Sequence, residues 1–355
     1  MTDSRPPAPL SGEAGPTADT ERVERAAEEV SRAPRGGLLH GSLGRNLGLI
    51  LALALICVAG VITEGDQFAN VDNMITILRF ASVIGVVSIG MTFVITGGGI
   101  DLSVGAMAAL ASVWCTTLAT QTMAEDAHWI LMVGTALAVG IGCGLVNGLL
   151  IAYGKVVPFI ATLAMLAAAR GLAEIIAQRR TQIVTVDGFV DFFRGDLIGV
   201  PVLVWMFAVV AAVGWVVLNR TTFGRRTFAV GGNPEAARLA GINVNRHTLM
   251  LYVVVGLCCG IAAIMITART TTGSSTHGTL WELDAIAAVV IGGTLLSGGR
   301  GTIVGTVFGV LIFATLSNVF TQNNLSSSAQ AVAKGAIIVL AVLLQQRLAR
   351  RANTT

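Results

Sequence analysis

Residues 225–241 read RRTFAVGGNPEAARLAG, a polar, arginine-rich island between two long apolar runs. Asn233-Pro234 is a natural helix start, with proline in the first turn. The following run, EAARLAG, puts Glu235 where the helix dipole favours an acid and closes on Gly241, a residue common just past a helix end. The stretch predicts a short helix over 234–241 on a membrane surface. A soluble partner could grip such a helix and push on it, provided that it connects rigidly to helices inside the bilayer. The plainer alternative is an ordinary basic loop.

The surroundings are hydrocarbon. Of 355 residues, 54% are hydrophobic and only 12% charged, with a mean hydropathy of +0.77. Soluble domains carry about 25% charged residues, so that class is excluded. The 42 glycines suit close helix packing in lipid, and a net charge of +3 is too small to indicate a nucleic-acid partner. Cys57, Cys115, Cys143, Cys258 and Cys259 fall within apolar runs without metal-ligand spacing. They read as small hydrophobes, not as a zinc site or a disulfide framework. The four histidines, His40, His128, His247 and His277, form no catalytic or metal grouping.

Windows of about 19 residues give ten candidate spans: 47–63, 74–96, 102–120, 129–153, 157–178, 198–218, 248–270, 284–296, 302–321 and 331–347. The fold class expected is an all-α polytopic membrane bundle of about ten helices, some of them broken, although eight or nine spans fit the same windows. Residues 1–46, rich in Pro, Gly, Ser and Glu, read as a disordered cytoplasmic tail with one short helix near 20–32. They have no positive start followed by an apolar core, so no signal peptide is expected. Residues 47–350 form the membrane domain, with a cytoplasmic loop at 219–247, and 351–355 end the chain in the cytoplasm. Basic residues set this orientation. Arg22 to Arg45, Lys155, the five arginines from Arg220 to Arg246, and Arg347 to Arg351 alternate with acidic connections around Asp66 and Glu125. Only 179–197, with three Arg against three Asp, is neutral.

Small residues recur every fourth position at Gly140, Gly144 and Gly148, at Gly256 and Gly260, and at Gly301, Gly305 and Gly309. They read as packing seams. Two breaks interrupt the apolar pattern. The first is Gly97-Gly98-Gly99-Ile100-Asp101-Leu102-Ser103, after Thr96. The second runs from Gly292-Gly293-Thr294 to Ser297-Gly298-Gly299-Arg300-Gly301, below Asp284. Each is followed by Val-Gly (Val104-Gly105, Val304-Gly305), a hint of internal duplication, and glycine-interrupted helices in both halves of a chain point to a transport pathway. Asp101 must face water, a partner charge or helix-end amides. Capping and hinge roles for Asp101 and Ser103 stand beside direct solute contact. Asn147, Thr162, Arg170, Glu174, Asn318 and Lys334 are the other polar residues within spans, and Arg170 and Glu174 are spaced to pair.

Three blocks together carry a resemblance. Glu235-Ala236-Ala237 with Gly241 resembles the cytoplasmic coupling motif of permease subunits of ATP-binding-cassette importers. The longer block Phe223 to Val244, FGRRTFAVGGNPEAARLAGINV, is similar to the ribose/xylose/galactoside-type sugar permeases, with Phe223 where Leu is usual. Gly90 to Leu110, GMTFVITGGGIDLSVGAMAAL, and Glu282 to Thr306, ELDAIAAVVIGGTLLSGGRGTIVGT, agree with it. The resemblance covers about 47–350 and omits the N-terminal tail. It implies a type II-like importer permease in a bacterial inner membrane. A second permease subunit, two ATPase subunits and an extracytoplasmic sugar-binding protein would complete the transporter.

By that resemblance Arg225, Arg226, Asn233, Pro234, Glu235, Ala236, Ala237, Arg238 and Gly241 couple to the ATPase. Thr96, Gly97, Gly98, Gly99, Asp101, Ser103, Asn147, Thr162, Asp284, Thr294, Ser297, Gly298 and Gly299 are candidates for the translocation path or its hinges. The chain has no nucleotide-binding loop, because its Gly154-Lys155 pair is followed by Val156. ATP and Mg are therefore expected on the partner ATPase, with no cofactor, metal or catalytic group in this chain. Two rivals remain. One is a branched-chain amino-acid or signalling-molecule importer permease, which the GIDLSVG block disfavours. The other is an ion-coupled secondary transporter, which would have no use for a docking helix.

Overall fold

Helix length and apolarity decide which segments can cross a bilayer whose core is about 30 Å thick. The computed structural model of the protein describes residues 42–352; the tail before Ser42, with the helix expected near 20–32, and residues 353–355 lie outside them. The helices are α1 (Ser42–Glu64), α2 (Val71–Thr96), α3 (Val104–Cys115), α4 (Leu118–Asp126), α5 (Ile130–Ala152), α6 (Pro158–Ala177) and α7 (Asp187–Arg194). They continue with α8 (Val202–Arg220), α9 (Thr222–Gly232), α10 (Pro234–Leu239), α11 (Val244–Thr270), α12 (Trp281–Ile291), α13 (Ile303–Gln322) and α14 (Ser327–Ala352). Two antiparallel two-residue ladders accompany them, Gln182–Ile183 with Thr272–Gly273 and Asp196–Leu197 with Val200–Pro201.

Among the described residues, α1, α2, α5, α6, α8, α11 and α13 are long and apolar enough to span. α3 and α4, bent by 55° at Thr116-Thr117, make an eighth if counted as one crossing. This is fewer than the ten windows. α12 has 11 residues and reaches only about 16 Å, roughly half a bilayer. Beyond it residues 292–302 are irregular, with Gly293 at φ +90° and Gly298 at +84°, a region closed to most side chains.

α2 is buried on every side from Ala81 to Thr96, and 83% of its apolar window is buried, as expected for a helix in the centre of a bundle. Asn70 begins it by accepting from the Asp72 amide, a standard N-cap. α11 (67%) and α13 (56%) are the next most enclosed, whereas α1, α5, α6 and α8 keep broad outer faces. The glycine seams are contacts. A Cβ on Gly140 would overlap the Gly256 carbonyl of α11, one on Gly144 the Tyr252 carbonyl, and one on Gly309 the Ala288 carbonyl of α12. Such approach replaces the hydrophobic drive that lipid cannot supply.

Successive connections collect at opposite ends of the bundle. One end joins Gln121 to Ile183 and Thr185, and Asn73 to Asn318 and Gln322. The other gathers the turns after α2, α5, α9 and α12 around one cleft.

Candidate functional site

The expected surface helix is present, two residues shorter than predicted. Asn233 Oδ1 accepts from the Ala236 amide at 3.0 Å, and Pro234 stands at the first helical position. α10 ends at Leu239, and the chain reverses through Gly241 at φ +81°. There the Ile242 amide donates to the Ala237 carbonyl at 3.0 Å, a glycine-terminated helix end. Only Ala237 is buried in this helix. Arg238 donates to both Glu235 oxygens at 3.0 Å, an exposed pair worth little to stability. Arg225 and Arg226 are exposed and form no ion pair among the described residues. Leu239, which the sequence reading passed over, is 90% exposed; it is an apolar knob among charges.

The segment 222–232, expected within the loop at 219–247, is ordered. It is helix α9, started by Thr221, whose Oγ1 accepts from the Gly224 amide. The signal that could have found its role is Gly231-Gly232. A Cβ on Gly231 would overlap the Thr96 carbonyl oxygen and lie 2.7 Å from the Gly299 nitrogen. One on Gly298 would lie 2.7 Å from the Gly231 oxygen and 2.9 Å from Gly98 Cα. Gly299 N donates to the Thr96 oxygen at 2.9 Å, and Gly301 faces Thr96 Oγ1, which is buried without a partner. Both sequence breaks thus meet backbone to backbone, and the segment leading into α10 is seated between them. Beside this junction lies a cleft of about 460 Å³ lined by Gly97, Gly98, Gly99, Lys155, Arg238 and the exposed Ser297, among others.

Asp101 is fully buried. Its Oδ1 accepts from the Ser103 amide at 2.8 Å and the Ser103 hydroxyl at 2.5 Å. Asn147 of α5 donates to Ser103 Oγ at 3.0 Å and reaches Asp101 Oδ2 at 3.5 Å. Ser103 itself makes no side-chain cap on α3; its amide and hydroxyl are both spent on Asp101. Tyr252 Oη donates to the Ile100 carbonyl at 3.2 Å. Asp101, Ser103 and Asn147 are therefore brought together where the turn between α2 and α3 packs against α5, with Tyr252 of α11 beside them. Thr162 is buried but spends its hydroxyl on the Pro158 carbonyl of its own helix. Thr294 Oγ1 accepts from the Thr302 amide at 3.3 Å, closing the irregular segment. Asp284 pairs with Lys334.

The expected Arg170–Glu174 pair is not formed. Arg170 instead donates to the Ser275 and His277 carbonyls, the latter at 2.8 Å, and Glu174 meets Arg179 at 3.3 Å. The segment 274–280 brings its carbonyls to the guanidinium of α6, and Glu174 is left to Arg179. His277 Nδ1 lies 3.2 Å from Ser112 Oγ. Burial, with the Arg170 charge beside it, pushes this imidazole down to about 4. No group of His, Cys, Asp and Glu able to hold a metal occurs among the described residues.

The family described as branched-chain amino acid transport system / permease component matches residues 73–342. The ribose import permease protein RbsC of Bacillus subtilis (strain 168) is 40% identical over 92% of this chain and 99% of its own length. RbsC of Escherichia coli (strain K12) is 38% identical over 84% of this chain and 92% of its own. The L-arabinose transport system permease protein AraH of Escherichia coli (strain K12) is 36% identical over 92% of this chain and 97% of its own. No solved structure matches.

Proposed function

Because the chain belongs to this family of transport-system permease components, we propose that it is the membrane-spanning subunit of an ATP-driven importer for a monosaccharide. One observation carries the reading. α10, a short surface helix with an exposed leucine and exposed charges, continues from α9, whose Gly231 is wedged between the ends of α2 and the 292–302 segment. A push on α10 therefore reaches both interrupted regions of the bundle through rigid backbone contact.

In this reading two such subunits, alike or different, enclose the path. Two ATPase subunits hold ATP and Mg and grip α10, and an extracytoplasmic binding protein delivers the sugar. The permease performs no chemistry itself. Alternating access follows when ATPase closure re-tilts α8 and α11 about the glycine junction. Both chain ends and the cleft beside α10 lie in the cytoplasm, as the arginine distribution favours. A ten-span, type II-like topology counts α12 with 292–302, and α14, as crossings. The domain limits are then a tail over 1–46, a membrane domain over 47–350 and a short end over 351–355. Thr96 to Gly99, Asp101, Ser103, Asn147, Thr294 and Ser297 to Gly299 serve as hinge residues in this account. Thr162 and Asp284 are the weaker members, one bonded to its own helix and the other paired to α14.

Sugar is favoured over a branched-chain amino acid, despite the family's description, because relatives matched over nearly their whole length are ribose and arabinose permeases. The test is uptake into vesicles holding the chain with and without its ATPase and a sugar-binding protein. ATP-dependent monosaccharide uptake only in the complete set is expected. Uptake by the chain alone on a proton or sodium gradient would overturn the proposal.

A further inference from the structure

The structure also carries a groove that has no part in coupling. α7 is an amphipathic helix of eight residues. Phe189 and Phe193 point into the protein, while Asp187, Asp191 and Arg194 are exposed. Its apolar face packs on the bundle with Met132, Ala136 and Ile264, and its charged face is left outside. Two tryptophans mark the same level. Trp129 stacks on Phe192 at 5.1 Å, and Trp205 Nε1 donates to the Leu197 carbonyl at 3.0 Å. Adjoining α7, between α5, α8 and α11, is an open groove of about 670 Å³. Its walls include Leu137, Met206, Val209, Val210 and Ile264, and Asp191 and Asp196, both exposed, line it as well.

The hydrocarbon part has the volume of a ligand site, and the two carboxylates fix which lipid fits. Asp196 shares Arg79 at 3.6 Å in an exposed pair, whereas Asp191 has no cationic partner among the described residues. An anionic headgroup would meet these carboxylates with like charge. A quaternary ammonium has no proton to donate. A primary ammonium offers three donors to two carboxylates, and charge-assisted bonds of that kind are the strong ones. We propose that this groove holds one acyl chain of a phospholipid whose headgroup carries a primary ammonium, with that ammonium on Asp191 and Asp196. The inference is independent of what the protein transports.

Native mass spectrometry of the full chain in detergent tests it, with phosphatidylethanolamine, phosphatidylcholine and phosphatidylglycerol of matched acyl chains as probes. Retention of the ethanolamine lipid is expected to exceed that of the other two by about tenfold, roughly one charge-assisted hydrogen bond. The double variant Asp191→Asn/Asp196→Asn should retain all three alike at an unchanged melting temperature, and Val209→Trp, which fills the groove, should retain none. Equal retention by the unaltered protein overturns the proposal, and so does a preference surviving in the double variant. If Val209→Trp instead turns a dimer into a monomer with lipid retention unchanged, a second copy of the chain covers the groove and the lipid is refuted. Should Val209→Trp fail to fold, the double variant decides alone, because both its side chains are exposed.

Discussion

Lys334 Nζ lies 3.2 Å from each carboxylate oxygen of Asp284, tying α14 to α12 through side chains only 19% and 15% exposed. α12 is too short to cross the bilayer alone, and the pair fixes it against a neighbour that continues the bundle. A charge in apolar surroundings needs a partner, and removing one member of a buried pair leaves the other stranded. Asp284→Leu or Lys334→Met alone is expected to cost about 3 kcal/mol, and the double replacement to recover most of it. Thermal unfolding of the four proteins in detergent gives the coupling, and a coupling near zero would refute the tie.

Gly231 and Gly232 are neighbours with opposite tolerances. A methyl on Gly231 would overlap the Thr96 carbonyl and approach the Gly299 nitrogen, whereas one on Gly232 has its nearest neighbour, Gly299 Cα, at 4.0 Å. Overpacking typically costs about 1–3 kcal/mol, and backbone cannot rotate away as a side chain can. Gly231→Ala should therefore lower the melting temperature and abolish uptake, with Gly232→Ala close to the unaltered protein in both. Equal behaviour would show that the junction is loose.

This contrast marks what could be read in the chain. The α10 stretch was legible because its signals are local: Asn233 before Pro234, and Gly241 where the chain turns. The seams at Gly140 and Gly256 were legible because small residues at every fourth position have few other uses in lipid. The junction was not, since nothing in GGGIDLS or SGGRG says that Gly98 and Gly298 touch, or that Gly231 separates them. The Asp284–Lys334 tie spans 50 residues, and Arg170 lay next to a plausible local partner in Glu174. Long-range polar contacts are chosen by tertiary placement, and local spacing misled there.

The coupling assignment predicts a separation of effects. Glu235→Arg and Leu239→Glu change only exposed side chains, where substitutions usually alter stability by less than about 0.5 kcal/mol. Gly241→Pro also removes the bond from its amide to the Arg238 carbonyl and forbids φ +81°. All three are expected to lose co-purification with the ATPase while the membrane bundle melts as before. Normal co-purification and uptake in these variants would show that α10 is not the docking element.

Asp101 is expected to matter as a hydrogen-bond acceptor more than as a charge. Its Oδ1 takes two bonds from Ser103, and an amide oxygen can take the same two. Asp101→Asn should then keep most of the stability, whereas Asp101→Leu leaves the Ser103 amide and hydroxyl unpaired in a buried site, at about 1–3 kcal/mol each. Melting temperatures of the two variants check this. A loss in Asp101→Asn as large as in Asp101→Leu would mean that the charge itself is required.

His277 gives the protein an acid limit. Its imidazole is held between Ser112 Oγ and, at 3.5 Å, Thr270 Oγ1, with Arg170 bonded to its own carbonyl. Burial and that guanidinium lower its pKa from 6.5 to about 4. Between those values the unfolded chain binds a proton that the folded chain refuses, so this contribution is complete above pH 6.5 and lost as pH falls toward 4. The slope approaches at most about 1.4 kcal/mol per pH unit for one proton. Comparing the melting temperatures of the unaltered protein and His277→Gln at pH 7.5 and 5.0, we expect the gap between them to shift in favour of the variant at the lower pH. A gap that stays constant would show that the imidazole titrates alike in both states, and that segment 274–280 leaves it open to water.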